Sequence, residues 1–194
     1  MIKWRQQYTS LLCKDVRMTE VQVAHTAQLD PVVLDATHDL LRTVFAGELS
    51  PDDWEHALGG MHALVWEDAE LVGHAAVVQR RLLHGGRAWR AGYVEGVGVR
   101  ADRQGYGYGA ALMAAIEPVV GRAYDLGALG ATEAAVRFYR ARGWQRWLGP
   151  CSALTPSGIV RTPEEDGGIY VLPGSFALDL RGELTCDWRD GDVW

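Results

Sequence analysis

The residues best placed to do chemistry lie in one run, YVEGVGVRADRQGYGYGAAL, at positions 93–112. Residues 93–99 read as a strand with β-branched side chains at alternate places, interrupted by Gly96 and Gly98. A glycine inside a strand pattern marks a bulge or a close approach by another group. The carboxylate of Glu95 sits beside that break. A polar turn at residues 100–103 follows. Then come Gln104, Gly105, Gly107 and Gly109, leading into residues 110–117, a run of strong helix formers. Strand, glycine loop, helix is the pattern of an anion site. The first N–H groups of a helix lack internal partners, the dipole places positive charge there, and glycines allow close approach. Arg100 and Arg103 add charge nearby. A Walker loop would need Gly-Lys-Ser/Thr, and this loop holds no lysine. A Rossmann fingerprint would need G-x-G-x-x-G with an acid about 20 residues on, whereas these glycines are spaced by two and Glu117 lies within the helix. Neither nucleotide motif fits. A plain strand–turn–helix packing unit is the alternative to a ligand loop.

The elements that must carry this run follow from pattern. Residues 19–26 alternate Val21 and Val23 with polar residues, as a strand does. Asp30 as N-cap and Pro31 at the first helical position start a helix that stops near Gly47, with Val33, Leu34, Leu40, Leu41 and Val44 as its buried stripe. Ser50-Pro51-Asp52-Asp53 repeats the start signal for a short helix. The helix dipole accounts for Asp52 and Asp53 there, but not for Glu48, which precedes the cap. Residues 61–67 and 70–81 read as antiparallel strands joined at Asp68-Ala69. Residues 84–87 form a second hairpin turn into residues 88–99. His74, in the middle strand, reads as a packed or surface histidine rather than a catalytic one. A helix over 107–124 precedes a short strand at 126–130 and an amphipathic helix at 131–142 that Gly143 terminates. The order is α+β.

Composition bounds the function. At 194 residues the chain is long enough for one full core. It has no apolar run of 18 residues, so no membrane partner is expected. The start lacks an apolar signal segment; Met18 is a candidate functional start, with residues 1–17 a loose leader and 18–194 a single domain. Cys13, Cys151 and Cys186 are odd in number and far apart, as free thiols of a reducing, cytoplasmic compartment are. They read as small buried hydrophobes before nucleophiles. The net charge of −6 sits in the last 31 residues, where eight acids face Arg181 and Arg189. That argues against nucleic acid and allows a cationic partner. The same segment carries Phe176, Leu178, Leu180, Leu184, Trp188 and Trp194, more apolar bulk than a disordered acidic tail holds.

The spacing Gln104-x-x-Gly107-x-Gly109 after Val97-Gly98-Val99 resembles the acetyl-CoA loop of the GNAT acyltransferases. Ala135, Tyr139, Gly143 and Trp144 match the later A-x-x-x-Y-x-x-x-G-[FW] motif of that superfamily. FAGELSPDDWEHALGGMHALVW, GYVEGVGVRAD, FYRARGW, RTPEEDG and the terminal CDWRDGDVW resemble, more narrowly, the aminoglycoside 2′-N-acetyltransferases of actinobacteria, over roughly residues 20–194. The resemblance implies a GNAT fold, a central mixed and mostly antiparallel sheet flanked by helices. It implies acetyl-CoA as cosubstrate and no metal, with Val97, Val99, Gln104, Gly105, Gly107 and Gly109 as the cofactor-binding set. Glu95 is then the candidate base acting through water, the Val97 N–H the carbonyl polariser, and Tyr139 the acid to the CoA sulfur. The carboxylate of Trp194 is the competing base. Glu48, Asp53, Glu95, Glu165, Asp192 and Trp194 are implied as contacts to a small cationic aminoglycoside, with glutamate at 48 and 165 where close relatives are expected to carry aspartate. This requires the tail to fold back over the cleft. Trp4, Trp66, Trp89 and Trp147 leave room for a homodimer interface. A housekeeping acetyltransferase for a cellular amino sugar or polyamine, and a non-catalytic binding protein, are the alternatives. The acidic balance disfavours a nucleic-acid partner.

Overall fold

The computed structural model describes residues 19–194; the expectations for residues 1–17, with Trp4 and Cys13, lie outside the described residues. Strand β1 (Thr19–His25) leads into helix α1 (Pro31–Val44), where Asp30 caps as expected: its Oδ1 accepts the Val32 N–H at 2.9 Å. Leu40 and Leu41 are buried, while Val33, Leu34 and Val44 are half-buried at the margin of the stripe. Helix α2 (Pro51–His56) opens with a capping box. Ser50 Oγ accepts the Asp53 N–H at 3.1 Å, and Asp53 Oδ2 accepts the Ser50 N–H at 2.8 Å. The meander follows as β2 (Met61–Glu67), β3 (Glu70–His84) and β4 (Arg87–Val99). Then come α3 (Tyr108–Ala123), β5 (Leu126–Gly130) and α4 (Val136–Ala141). The chain ends with β6 (Gln145–Arg146), β7 (Cys151–Thr155), β8 (Gly158–Arg161), β9 (Ile169–Pro173) and β10 (Leu184–Asp187).

These strands form one mixed sheet, antiparallel except where β4 meets β5 and β10 meets β7. Strand β3 is long enough to serve two partners on one edge. Its first half pairs with β2, and Leu82 and Leu83 pair with β10. Alternation along β2 sorts the core. Ala63 and Val65 face α3, and Leu64 faces the side of α1. Strands β4 and β5 pair only at Ala91–Leu126, Gly92–Gly127 and Tyr93–Ala128, and then part. That parting creates the opening in which the site lies.

Two expectations need correction. The helix over 131–142 is shorter: a 3-10 turn (Glu133–Ala135) precedes the six residues of α4. The Ala131 N–H donates to Gly168 O at 3.0 Å, which holds the segment's start extended beside β9, and Thr132, the N-cap, makes no capping bond through its side chain. Trp89 and Trp147 are core residues instead of interface residues. Trp147 is 1% exposed, and both indoles donate to main-chain oxygens, of His84 and Gly182 respectively. Trp66 is half-buried. Cys151 and Cys186 are free and buried, and burial pushes their thiols up to about 12 and about 11. Among the described residues, no helix is long and apolar enough to cross a membrane.

Candidate active site

The break read at Gly96 is a bulge. Ala76 faces Glu95 and His74 faces Gly98, so Gly96 and Val97 together oppose a single residue of β3 and drop out of the ladder. Gly96 has φ +54°, and a Cβ there would meet Leu41 Cδ1 at 3.1 Å. Glycine satisfies both the backbone and the packing of α1 onto the strand. The Gly96 carbonyl, lost to the ladder, is bonded by His74 Nδ1 at 2.8 Å. His74 is thus packed and fully buried.

Between the parted strands lies a cavity of about 530 Å³. Five carboxylates line it, each from a different segment: Glu48 from the α1–α2 loop, Asp53 from α2, Glu95 from β4, Glu165 from the turn before β9, and Asp192 from the C-terminal segment. Val97, Tyr139 and Trp194 also line it. The residues named from the sequence as catalytic and as substrate contacts therefore share one cavity. Among the cofactor set, Val97 lines this cavity; Val99, Gln104, Gly105, Gly107 and Gly109 do not.

The tail does fold back. Trp194 is 6% exposed; its Nε1 donates to Thr162 Oγ1 at 2.9 Å, and its N–H donates to Asp192 Oδ1 at 3.1 Å. Arg80 straps the segment by donating to Asp187 O at 2.8 Å and Val193 O at 2.7 Å. The residue that the sequence reading missed is Arg189. Its guanidinium donates to Glu95 Oε1 at 2.5 Å, to the main-chain oxygen of Trp194 at 2.5 Å and to Asp192 O at 2.8 Å. A fork of this kind fixes geometry as well as charge. The sole signal for it was a cation placed among the acids of CDWRDGDVW. His56 and Tyr93 also line the cavity and were not expected there.

The electrostatics are lopsided. Burial raises the Glu95 carboxyl above its ordinary range, against the opposing pull of Arg189. Burial raises Glu165 too, with the Asp192 and Glu164 charges adding to it. His56 is lowered by burial and by Arg189, which leaves it a neutral imidazole donating to Asp190 O. Burial pushes the Tyr139 hydroxyl up to about 12, so it keeps its proton at neutral pH. Five carboxylates thus face one guanidinium.

The glycine loop lies at the start of α3. Gly105 and Gly107 have φ +82° and +87°, and the space around their Cβ positions is open. Gly107 is the N-cap, and no side chain caps the helix. Gln104 Nε2 donates back to Val99 O at 3.2 Å. Arg100 and Arg103 are not spare cations. Arg100 pairs with Glu70 and Asp102, and Arg103 pairs with Glu67 and Asp102. An anion here would meet main-chain N–H groups.

Comparison with known proteins places the chain in a family. A family model described as an acetyltransferase (GNAT) domain matches residues 28–147. An aminoglycoside 2′-N-acetyltransferase of Mycolicibacterium fortuitum is 49% identical over 177 residues, covering 89% of this chain and 91% of that relative. The crystal structure of Escherichia coli ElaA superposes with a TM-score of 0.56 at 20% identity, covering 80% of this chain and 99% of that one. An acyl-CoA N-acyltransferase from Pseudomonas aeruginosa does so with a TM-score of 0.55 at 17% identity, over the same shares. At such identities the two structures speak for the fold.

Proposed function

Because this chain belongs to the GNAT acetyltransferase family, we propose that it transfers the acetyl group of acetyl-CoA to the 2′-amine of aminoglycosides, the activity of an antibiotic-resistance enzyme. The observation that carries the substrate class is the cavity: five carboxylates and one guanidinium around about 530 Å³. A neutral sugar gains little from such a lining. Each ammonium held about 4 Å from a carboxylate gains on the order of 4 kcal/mol before desolvation. The Asp192 repulsion, which adds to burial in raising Glu165, is relieved when a cation enters the cavity.

The glycine loop suits the pyrophosphate of acetyl-CoA. Its two left-handed glycines are open to an approaching phosphate, and α3 begins with unshared N–H groups. Acetyl-CoA supplies the acetyl group as a thioester. The chain's own residues then divide the remaining work. Val97, outside the ladder, donates its N–H to the thioester carbonyl. Glu95, its pKa raised toward the working range, takes the amine proton through a water. Arg189 occupies Oε1 of Glu95 and leaves Oε2 to receive that proton. The main-chain oxygen of Trp194 also accepts from Arg189, so one guanidinium ties the returning tail to Glu95. Tyr139, still protonated, gives its proton to the departing sulfur. The amine enters this step neutral, its ammonium proton lost to solvent; the N–C bond forms and the C–S bond breaks, with one proton passing from the nitrogen to Glu95 and one from Tyr139 to the sulfur.

The test is release of CoA thiol, detected with DTNB, against paired amines. Gentamicin, tobramycin and kanamycin B carry a 2′-amine; kanamycin A and amikacin carry a 2′-hydroxyl. Turnover confined to the first group is expected. Equal turnover of both groups would remove the 2′ assignment. Turnover of neither, with acetyl-CoA still bound, would turn the search to cellular amino sugars and polyamines.

A further inference from the structure

Beneath the bulge, on the α1 side of the sheet, two fully buried histidines stand in contact. His62 Nδ1 and His74 Nε2 are 2.9 Å apart. The chain of bonds they belong to has defined ends. His74 Nδ1 lies 2.8 Å from Gly96 O. A carbonyl only accepts, so His74 carries its proton on Nδ1. Its Nε2 must then accept, so His62 carries its proton on Nδ1. His62 Nε2 in turn accepts from the Thr26 hydroxyl at 2.7 Å, and Thr26 Oγ1 accepts the Gly59 N–H at 2.9 Å. A second proton on His74 would set two N–H groups against each other; a second proton on His62 would turn the Thr26 hydroxyl from that ring to the Gly60 carbonyl, 3.3 Å away. Burial pushes His62 down to about 4 and His74 down to about 3, so both rings are neutral across the neutral range. The chain ends on an amide oxygen that has no proton to pass on. It is therefore a brace and not a proton relay.

What it braces is one peptide group. The Gly96 carbonyl and the Val97 N–H belong to the same planar unit, which is trans, so they point in opposite directions. Gly96 and Val97 are the two residues without partners in the β3–β4 ladder. A ladder therefore does not hold this peptide, and its carbonyl would be an orphan beneath α1 without His74. We propose that His74, buttressed by His62 and Thr26, is a positioning residue that orients the Gly96–Val97 peptide and so aims the Val97 N–H at the acyl carbonyl. The bond to the carbonyl also polarises the N–H at the other end of the same amide. This rests on the acetyl-transfer reading above.

The test uses His74→Asn, whose amide nitrogen lies where Nδ1 does, against His74→Ala and the longer His74→Gln. The alanine and glutamine variants are expected to lose roughly 10- to 100-fold in kcat, with KM for the amine within about twofold, and asparagine to recover most of the loss. Calorimetry supplies a readout that does not need turnover. The ratio of acetyl-CoA to CoA affinity is expected to fall in His74→Ala and His74→Gln and to persist in His74→Asn, because CoA lacks the carbonyl. On the unaltered protein, nitrogen-15 NMR of the histidine rings is expected to show Nδ1–H tautomers for His62 and His74, contrary to the Nε2–H form that free imidazole side chains favour in water. An Nε2–H tautomer at His74, or an asparagine variant as impaired as alanine in both kcat and affinity ratio, would overturn the proposal. If no amine is turned over by the unaltered protein, the substrate reading fails, while the tautomers and the affinity ratio still judge the brace.

Discussion

The two faces of the site are built from different material. On the side proposed for acetyl-CoA the chain offers main chain: a bulge, open glycines and the uncapped start of α3, all from positions 95–109. On the side proposed for the amine it offers side chains: five carboxylates from five segments, gathered by a tail that returns more than a hundred residues after Glu48. A pyrophosphate and a thioester are constant ligands, and backbone N–H groups recognise them whatever the neighbouring side chains. A polyamine is recognised by where its charges fall, which side chains can tune one at a time. Glu95 and Val97 stand at the seam, since both line the cavity and both belong to the bulged strand.

The largest expected effect falls at the seam. Glu95→Gln should lower kcat by roughly 10²- to 10⁴-fold, with the dissociation constant of CoA unchanged by calorimetry. The same change should not lower the melting temperature at pH 8. The folded-state pKa of Glu95 is raised by burial, so its favourable contribution is present below the unfolded value and is lost as pH rises through the folded one. Glutamine escapes that loss. Asp192→Asn sharpens the amine side. It should raise KM for tobramycin about tenfold, the worth of one charge-assisted contact of about 1.4 kcal/mol. Asp192 also raises Glu165 and Glu95. Its removal should therefore move the rising limb of the kcat/KM profile to lower pH. A third effect, on stability instead of turnover, lies beneath both faces. Neutral His62 and His74 should stabilise the protein above about pH 6.5. That stability drains as pH falls toward about 4 and about 3, at up to about 1.4 kcal/mol per pH unit for each ring. The advantage of the unaltered protein over His62→Gln in thermal melts should shrink along the same limb.

How much of this was legible in the sequence follows from the same contrast. Main-chain sites need glycines at short spacing, so the bulge at Gly96 and the loop at 104–109 could be read locally. So could the hairpins and the caps at Asp30 and Ser50. Side-chain convergence leaves no local trace. Glu165 and Asp192 were reached through resemblance, and the return of the tail had to be assumed until Trp194 was seen bonded to Thr162. Arg189 went unread because a lone cation has no spacing to betray it. Arg100 and Arg103 add charge beside the loop in the sequence, but Glu70 and Glu67, which engage them in the fold, lie 30 and 36 positions away and leave no local trace. Trp89 and Trp147 leave room for an interface in the sequence because composition cannot tell a core indole from a surface one. His74 was read as packed or exposed; its bond to Gly96 depends on a register that only the folded sheet defines.

The most direct measurement of the division is a calorimetric cross between two variants and two ligands. Gly107→Ala places a side chain at φ +87° in the loop, a strain of about 1–2 kcal/mol, and should weaken CoA about five- to thirtyfold while leaving tobramycin within about twofold. Removing residues 192–194 should weaken tobramycin at least about tenfold and leave CoA within about twofold. Two ligands weakened alike by either change would mean that the faces are one cooperative structure, and that the carboxylates are not a separate amine-binding surface.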